Sequence, residues 1–113
     1  MPFLETDIFK KIIDGEMPCD KVFENENIIA FNDIAPKAKV HILIVPKKNL
    51  VTAKEVNEGN LFIFGELFLV SKQIAEEKNI TDYKLFMNVG ENAGQVVPHV
   101  HLHFLSSDFE SNL

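Results

Sequence analysis

Apolar and polar positions alternate in short runs over much of this chain, and fall at helical spacing in one long segment of its second half. Thr6 or Asp7 is placed to cap a short helix through about Asp14. Gly15 ends it, and Met17-Pro18 starts extended chain. Lys21-Val22-Phe23-Glu24 and Ile28-Ile29-Ala30-Phe31 flank the polar Asn25-Glu26-Asn27, which reads as a hairpin. His41 to Val45 is a buried strand closed by Pro46. A long helix follows from about Asn60 to Lys78, and Tyr83 to Val89 and His99 to Ser106 give the last two strands. The pattern is α+β, with about five strands, one short helix and one long one. No repeat, low-complexity tract or linker divides it, so residues 1–113 read as a single domain.

Within the long helix, Leu61, Ile63, Phe64, Leu67, Phe68, Ile74 and Ala75 make one wide apolar arc, and Phe62 and Leu69 fall outside it. A helix on the surface of a small monomer should be polar there. A symmetric partner covering these side chains is the economical reading, so a homodimer is expected.

Three of the four histidines fall in His99-Val100-His101-Leu102-His103. On a strand, alternation puts all three imidazoles on one face, about 6.6 Å apart, while Val100, Leu102 and Phe104 point into a core. Imidazole changes charge nearest neutral pH, so such a row can hold nucleophile, acid and charge stabiliser together. Three readings compete: unrelated histidines, a metal site, and nucleophilic catalysis at phosphorus. Clustering argues against the first. The second lacks supporting ligands, because Asp108 could supply a carboxylate but no further histidine follows it. The third has one imidazole attacking while the others orient it and hold phosphate oxygens.

The run His99-Val100-His101-Leu102-His103-Phe104-Leu105 resembles the signature of the histidine triad (HIT) family, Hint branch. The resemblance extends over Asp7 to Pro18, Ala30 to Pro36, His41 to Lys48, Asn88 to Glu91 and Ala93 to Gln95, in the family's order and spacing. It implies an antiparallel α+β fold that dimerises. The implied activity is hydrolysis of phosphoramidate-type bonds in purine nucleoside 5'-monophosphate derivatives. In that pattern His101 is the nucleophile, His103 binds the phosphate and its developing charge, and His99 and His41 sit around the nucleophile. Asn88, Gly94 and Gln95 match positions near the phosphate, and Asp33 matches the carboxylate that accepts from the ribose hydroxyls. Ile8, Phe9, Ile12, Met17, Phe31 and Ile34 match the apolar slot for the base. Spacing alone reads those six as ordinary core and Asp33 as a turn residue. A nucleotide-binding protein with little turnover and a dinucleoside polyphosphate hydrolase remain as alternatives.

Two positions depart from the pattern. Val96 stands where many relatives carry a serine, which removes a hydroxyl able to donate to phosphate or to the departing group. Asp7 and Lys10 occupy the positions of a Cys-x-x-Cys pair that holds structural zinc in some bacterial relatives, so no metal and no cofactor are expected.

Composition fits a small cytoplasmic enzyme. At 46% apolar residues the chain can build a core, and its only cysteine, Cys19, cannot form an internal disulfide. The start, Met1-Pro2-Phe3-Leu4-Glu5, carries acid where a secretory leader needs base, and no membrane association is expected. The net charge is -6, and all 11 basic residues are lysine. A broad nucleic-acid surface is therefore not expected. Without a guanidinium fork, any phosphate must be held by histidines, backbone N–H groups, amides or lysine. Lys37, Lys39, Lys47 and Lys48 make the most basic stretch and read as a solvated face.

Overall fold

Asp7 starts the first helix. Its Oδ1 accepts the backbone N–H groups of Phe9 and Lys10, both at 3.1 Å, and α1 then spans Ile8–Ile13. Gly15, at φ +78°, takes the left-handed conformation that lets the chain leave the helix. These details come from a computed structural model that describes residues 3–106. Met1, Pro2 and Asp108 lie outside that range.

The hairpin forms from β1 (Lys21–Glu24) and β2 (Ile28–Asn32), and its turn is tied by Asn25 Oδ1, which accepts from the N–H groups of Asn27 and Ile28. β3 (Val40–Pro46) pairs antiparallel with β2. The long helix, α2, spans Leu61–Glu77. β4 (Lys84–Phe86) and β5 (Leu102–Ser106) complete a five-stranded antiparallel sheet in the order β1-β2-β3-β5-β4. Two short 3-10 turns, Ala53–Glu55 and Glu91–Ala93, lie in the connections. No helix among the described residues is long and apolar enough to cross a membrane.

Alternation along the central strands sorts two cores onto opposite sides of the sheet. Ile28, Ala30, Ile42, Ile44, Leu102 and Phe104 face α2, which buries Ile63, Leu67, Val70 and Ile74 against them. Ile29, Phe31, Leu43 and Val45 face the other way and meet Phe9 of α1 with Val97. The α2 side is packed through, whereas the α1 side leaves room.

Three expectations change. β5 starts only at Leu102, so His99 and His101 precede the strand and the three imidazoles do not form one regular row. The apolar strand expected from Tyr83 to Val89 narrows to Lys84–Phe86. In α2 the buried stripe follows Ile63, Leu67, Val70, Ser71, Ile74 and Ala75, while Leu61 and Phe68 are exposed beside Phe62 and Leu69. The stripe is narrower than the arc because one helix laid on a flat sheet touches it along a single seam.

Candidate active site

On the α1 side of the sheet lies a cavity of about 440 Å³. All six residues of the expected apolar slot line it: Ile8, Phe9 and Ile12 from α1, Met17 after it, Phe31 from β2 and Ile34 beyond that strand. Phe9 meets Phe31 edge-on at 5.5 Å between ring centroids and His101 edge-on at 4.9 Å. The apolar slot therefore ends against the histidines. Ile34 is at the rim, 98% exposed.

Hydrogen-bond partners fix the imidazole tautomers. The Lys37 backbone N–H can only donate, and it lies 3.0 Å from His41 Nδ1. Nδ1 of His41 is then the acceptor, and its Nε2–H donates to His103 Nδ1 at 3.0 Å, with Asp33 Oδ2 at 3.4 Å. His103 is left with its proton on Nε2. In His101 the roles reverse: Nδ1 lies 2.7 Å from the carbonyl oxygen of His99, so Nδ1 carries the proton and Nε2 presents a lone pair. That Nε2 has no protein partner among the described residues and is not sealed from solvent. His101 and His103 both line the cavity with rings 5.0 Å apart, one offering a lone pair and the other an N–H.

These rings are held neutral. Burial pushes the His101 imidazole below its ordinary range, outweighing the hydrogen bond to the His99 carbonyl, which favours the charged ring. Burial, then His101 and His41, push His103 down to about 3. Phe86 stacks on its ring at 4.3 Å and 6°. Burial also lowers His41, with Asp33 opposing and Lys37 adding to the shift. At neutral pH His103 therefore offers a neutral N–H rather than a cation.

The stability consequence has a definite sign. Each of these three histidines has a folded pKa below its unfolded value near 6.5, so below that pH the unfolded chain binds protons the native state refuses. Their contribution is intact above about pH 7 and is lost as pH falls below about 6.5, for His103 down to about 3, at up to about 1.4 kcal/mol per pH unit per group. Thermal unfolding at stepped pH should show Tm falling on the acid side in the wild type and falling less steeply in His103→Gln. Equal slopes would mean that His103 is not held neutral.

Other site residues stand differently from expectation. His99 does not line the cavity. Its fully buried ring points to Asp7, with Nδ1 2.8 Å from Oδ2, and to the Pro46 carbonyl, 2.7 Å from Nε2. Both partners are oxygens, and together they hold the ring at its two ends. His99 thus acts on His101 through its backbone carbonyl, and His41 touches His103 rather than the nucleophile candidate.

Gln95 is buried and used as a brace. Its Oε1 accepts from Gly90 N–H at 2.9 Å, its Nε2 donates to the carbonyls of Val51 and Val97, and its backbone N–H goes to Gly90. Gly94 lines the cavity, but its N–H is committed to Glu91. Of the phosphate group expected there, the Asn88 amide is the one that lines the cavity with donor capacity, bonded only weakly to the Gly94 carbonyl at 3.4 Å. Asp33 lines the cavity too, with Oδ1 accepting from Ala35 N–H at 2.9 Å in a turn.

The sequence reading missed Asp7 as the clamp on His99, although it named Asp7 as a possible cap. It also missed Asp20, Lys37, Leu43 and Val97 in the lining, and Cys19 lines it as well. Burial pushes the Cys19 thiol up. One group of donors has metal-like spacing among the described residues: Asp33, His41 and His103 each offer an atom within 4.8 Å of the others. In this structure His41 Nε2 and His103 Nδ1 are bonded to each other at 3.0 Å.

Residues 6–113 match the protein family described as Scavenger mRNA decapping enzyme C-term binding. The chain is 46% identical over 106 residues to a HIT-like protein of Helicobacter pylori, covering 89% of this chain and 96% of that one. It is 39% identical over 103 residues to the purine nucleoside phosphoramidase of Escherichia coli K12, covering 89% and 87%. Its fold matches a HIT family hydrolase from Clostridium thermocellum with a TM-score of 0.89 at 38% identity, covering 97% of each chain.

Proposed function

The chain belongs to the histidine triad (HIT) family, and from that premise we propose that it hydrolyses purine nucleoside 5'-monophosphate derivatives at a phosphoramidate-type bond, through a nucleotide carried on His101. The observation that carries this reading is the free Nε2 lone pair of His101 in a cavity whose other end is an apolar slot. The name of the Escherichia coli relative supports the same substrate class.

In this reading the base lies between Ile8, Phe9, Ile12, Met17, Phe31 and Ile34, and the ribose hydroxyls donate to Asp33. His101 Nε2 attacks the α-phosphorus and the bond to the leaving amine breaks as the amine nitrogen takes a proton from solvent. Water then attacks the phosphorus-imidazole bond and releases the monophosphate. His103 Nε2–H and the Asn88 amide donate to the non-bridging oxygens as charge shifts onto them. His41 and Asp33 hold His103 in the donor tautomer, and Asp7 holds His99 where its carbonyl fixes the tautomer of His101. The active unit is a homodimer.

The test is turnover of an adenosine 5'-phosphoramidate against a dinucleoside polyphosphate, with and without chelator. The phosphoramidate should be cleaved faster and the chelator should change nothing. Preference for the polyphosphate, or loss of activity restored by zinc or manganese, would overturn the reading. Val96, which puts a methyl-bearing side chain in the lining where a hydroxyl could donate, favours one second reading. Tight nucleotide binding with no turnover of either substrate would establish a binding protein instead.

A further inference from the structure

A nucleotide brings one or two negative charges into this cavity, and the chain has no arginine to meet them. The histidines near that end are neutral, because burial lowers His41, His101 and His103 alike. The lining also carries two carboxylates, Asp20 and Asp33. Among the described residues, Lys37 is the one lysine that lines this cavity. Its backbone N–H is bonded to His41 Nδ1, which anchors it beside the His41–His103 pair. Its ammonium is close enough to both rings to disfavour their protonation.

The other basic residues near it in sequence are placed elsewhere. Lys47 is paired with Glu24 at 2.7 Å, and Lys39 and Lys48 do not line the cavity. Among the described residues no carboxylate lies within ion-pair distance of the Lys37 ammonium, whereas Lys10 and Lys21 are both paired. The basic stretch of the sequence thus separates into three lysines placed away from the cavity and one in its lining.

We propose that Lys37 supplies the positive charge that meets the substrate phosphate. This rests on the nucleotide reading of the site and adds a binding residue to it. The phosphate charge exists before reaction as well as during it, so the contact acts mainly on binding. A lysine ammonium reaches the phosphate as a point charge on a flexible stem, which suits a solvent-exposed position at the rim.

The experiment is calorimetric titration of wild type, Lys37→Met and Lys37→Arg with AMP and with adenosine, at low and at high salt. Lys37→Met keeps the aliphatic stem and removes the charge. It should weaken AMP about five- to tenfold at low salt, the size of one screened unit-charge contact, and leave adenosine unchanged. The gap should narrow at high salt, and Lys37→Arg should bind AMP within about twofold of wild type. Unchanged AMP affinity in Lys37→Met at low salt would overturn the proposal while the nucleotide reading stands. Equal losses for AMP and adenosine would overturn it in favour of a structural role for the segment that holds His41. A wild type that binds neither compound would remove the nucleotide reading and this proposal together.

Discussion

His101→Ala is expected to lower the rate of cleavage by at least about 10⁴-fold while leaving AMP affinity within about threefold of wild type. The loss is large because the substitution removes the attacking atom. Among the described residues no other imidazole both lines the cavity and presents a lone pair: His103 carries its proton on Nε2, His41 faces His103, and His99 is sealed against Asp7 and Pro46. Binding survives because the apolar slot, Asp33 and Lys37 are untouched, apart from the edge contact of Phe9 with the lost ring. His103→Ala should cost less, about 10²- to 10³-fold, since it removes a donor to the developing charge and spares the nucleophile. Single-turnover kinetics and mass spectrometry of a trapped adduct measure both. Near-wild-type single-turnover cleavage by His101→Ala, or an adduct on any other residue, would overturn the assignment.

Neutral histidines also set the acid side of activity. Because His101 is held below its ordinary range, its lone pair stays available under mildly acidic conditions, and kcat/KM should begin to fall only below about pH 6.5.

The strands and helices were legible because each carries its own periodicity. β2 and β3 alternate between two cores, and Asn25-Glu26-Asn27 is a turn by its own side-chain bonds. What escaped the sequence depends on partners far along the chain. His99 looks like one of three equivalent imidazoles until Asp7, 92 residues away, takes its Nδ1. With the ring drawn there and to the Pro46 carbonyl, the segment before Leu102 leaves the sheet, and alternation no longer describes it. Gln95 matched a phosphate-side position by motif, yet its amide closes the loop between Gly90 and Val97 and has no N–H left to donate to a phosphate. Lys37 could not be told from Lys39 by composition. Its place is fixed by a backbone bond to His41, which no side-chain pattern announces.

Phe62→Lys combined with Leu69→Lys is expected to convert a stable homodimer into a monomer, weakening association by about 10³-fold. Leu61, Phe62, Phe68 and Leu69 are 58%, 63%, 56% and 56% exposed on one side of α2. At about 200 Å² for a fully exposed large side chain, they present roughly 450 Å² of apolar surface. Two such faces bury about 900 Å², short of the roughly 1,200 Å² at the low end of stable interfaces. In the proposed homodimer the remainder would come from β4, the last strand in the sheet order, with a second β4 laid beside it. Gly65 lies among the four exposed side chains, and nothing stands within 4 Å of where its Cβ would be. A glycine there costs an isolated helix about 1 kcal/mol relative to alanine, and the open backbone suits close approach of a second helix. Light scattering should give twice the chain mass for the wild type at micromolar concentration and the single-chain mass for the double variant, with unchanged far-ultraviolet circular dichroism showing that the monomer is folded. A wild type that is monomeric at that concentration would leave these four side chains facing water and remove the argument for a second copy.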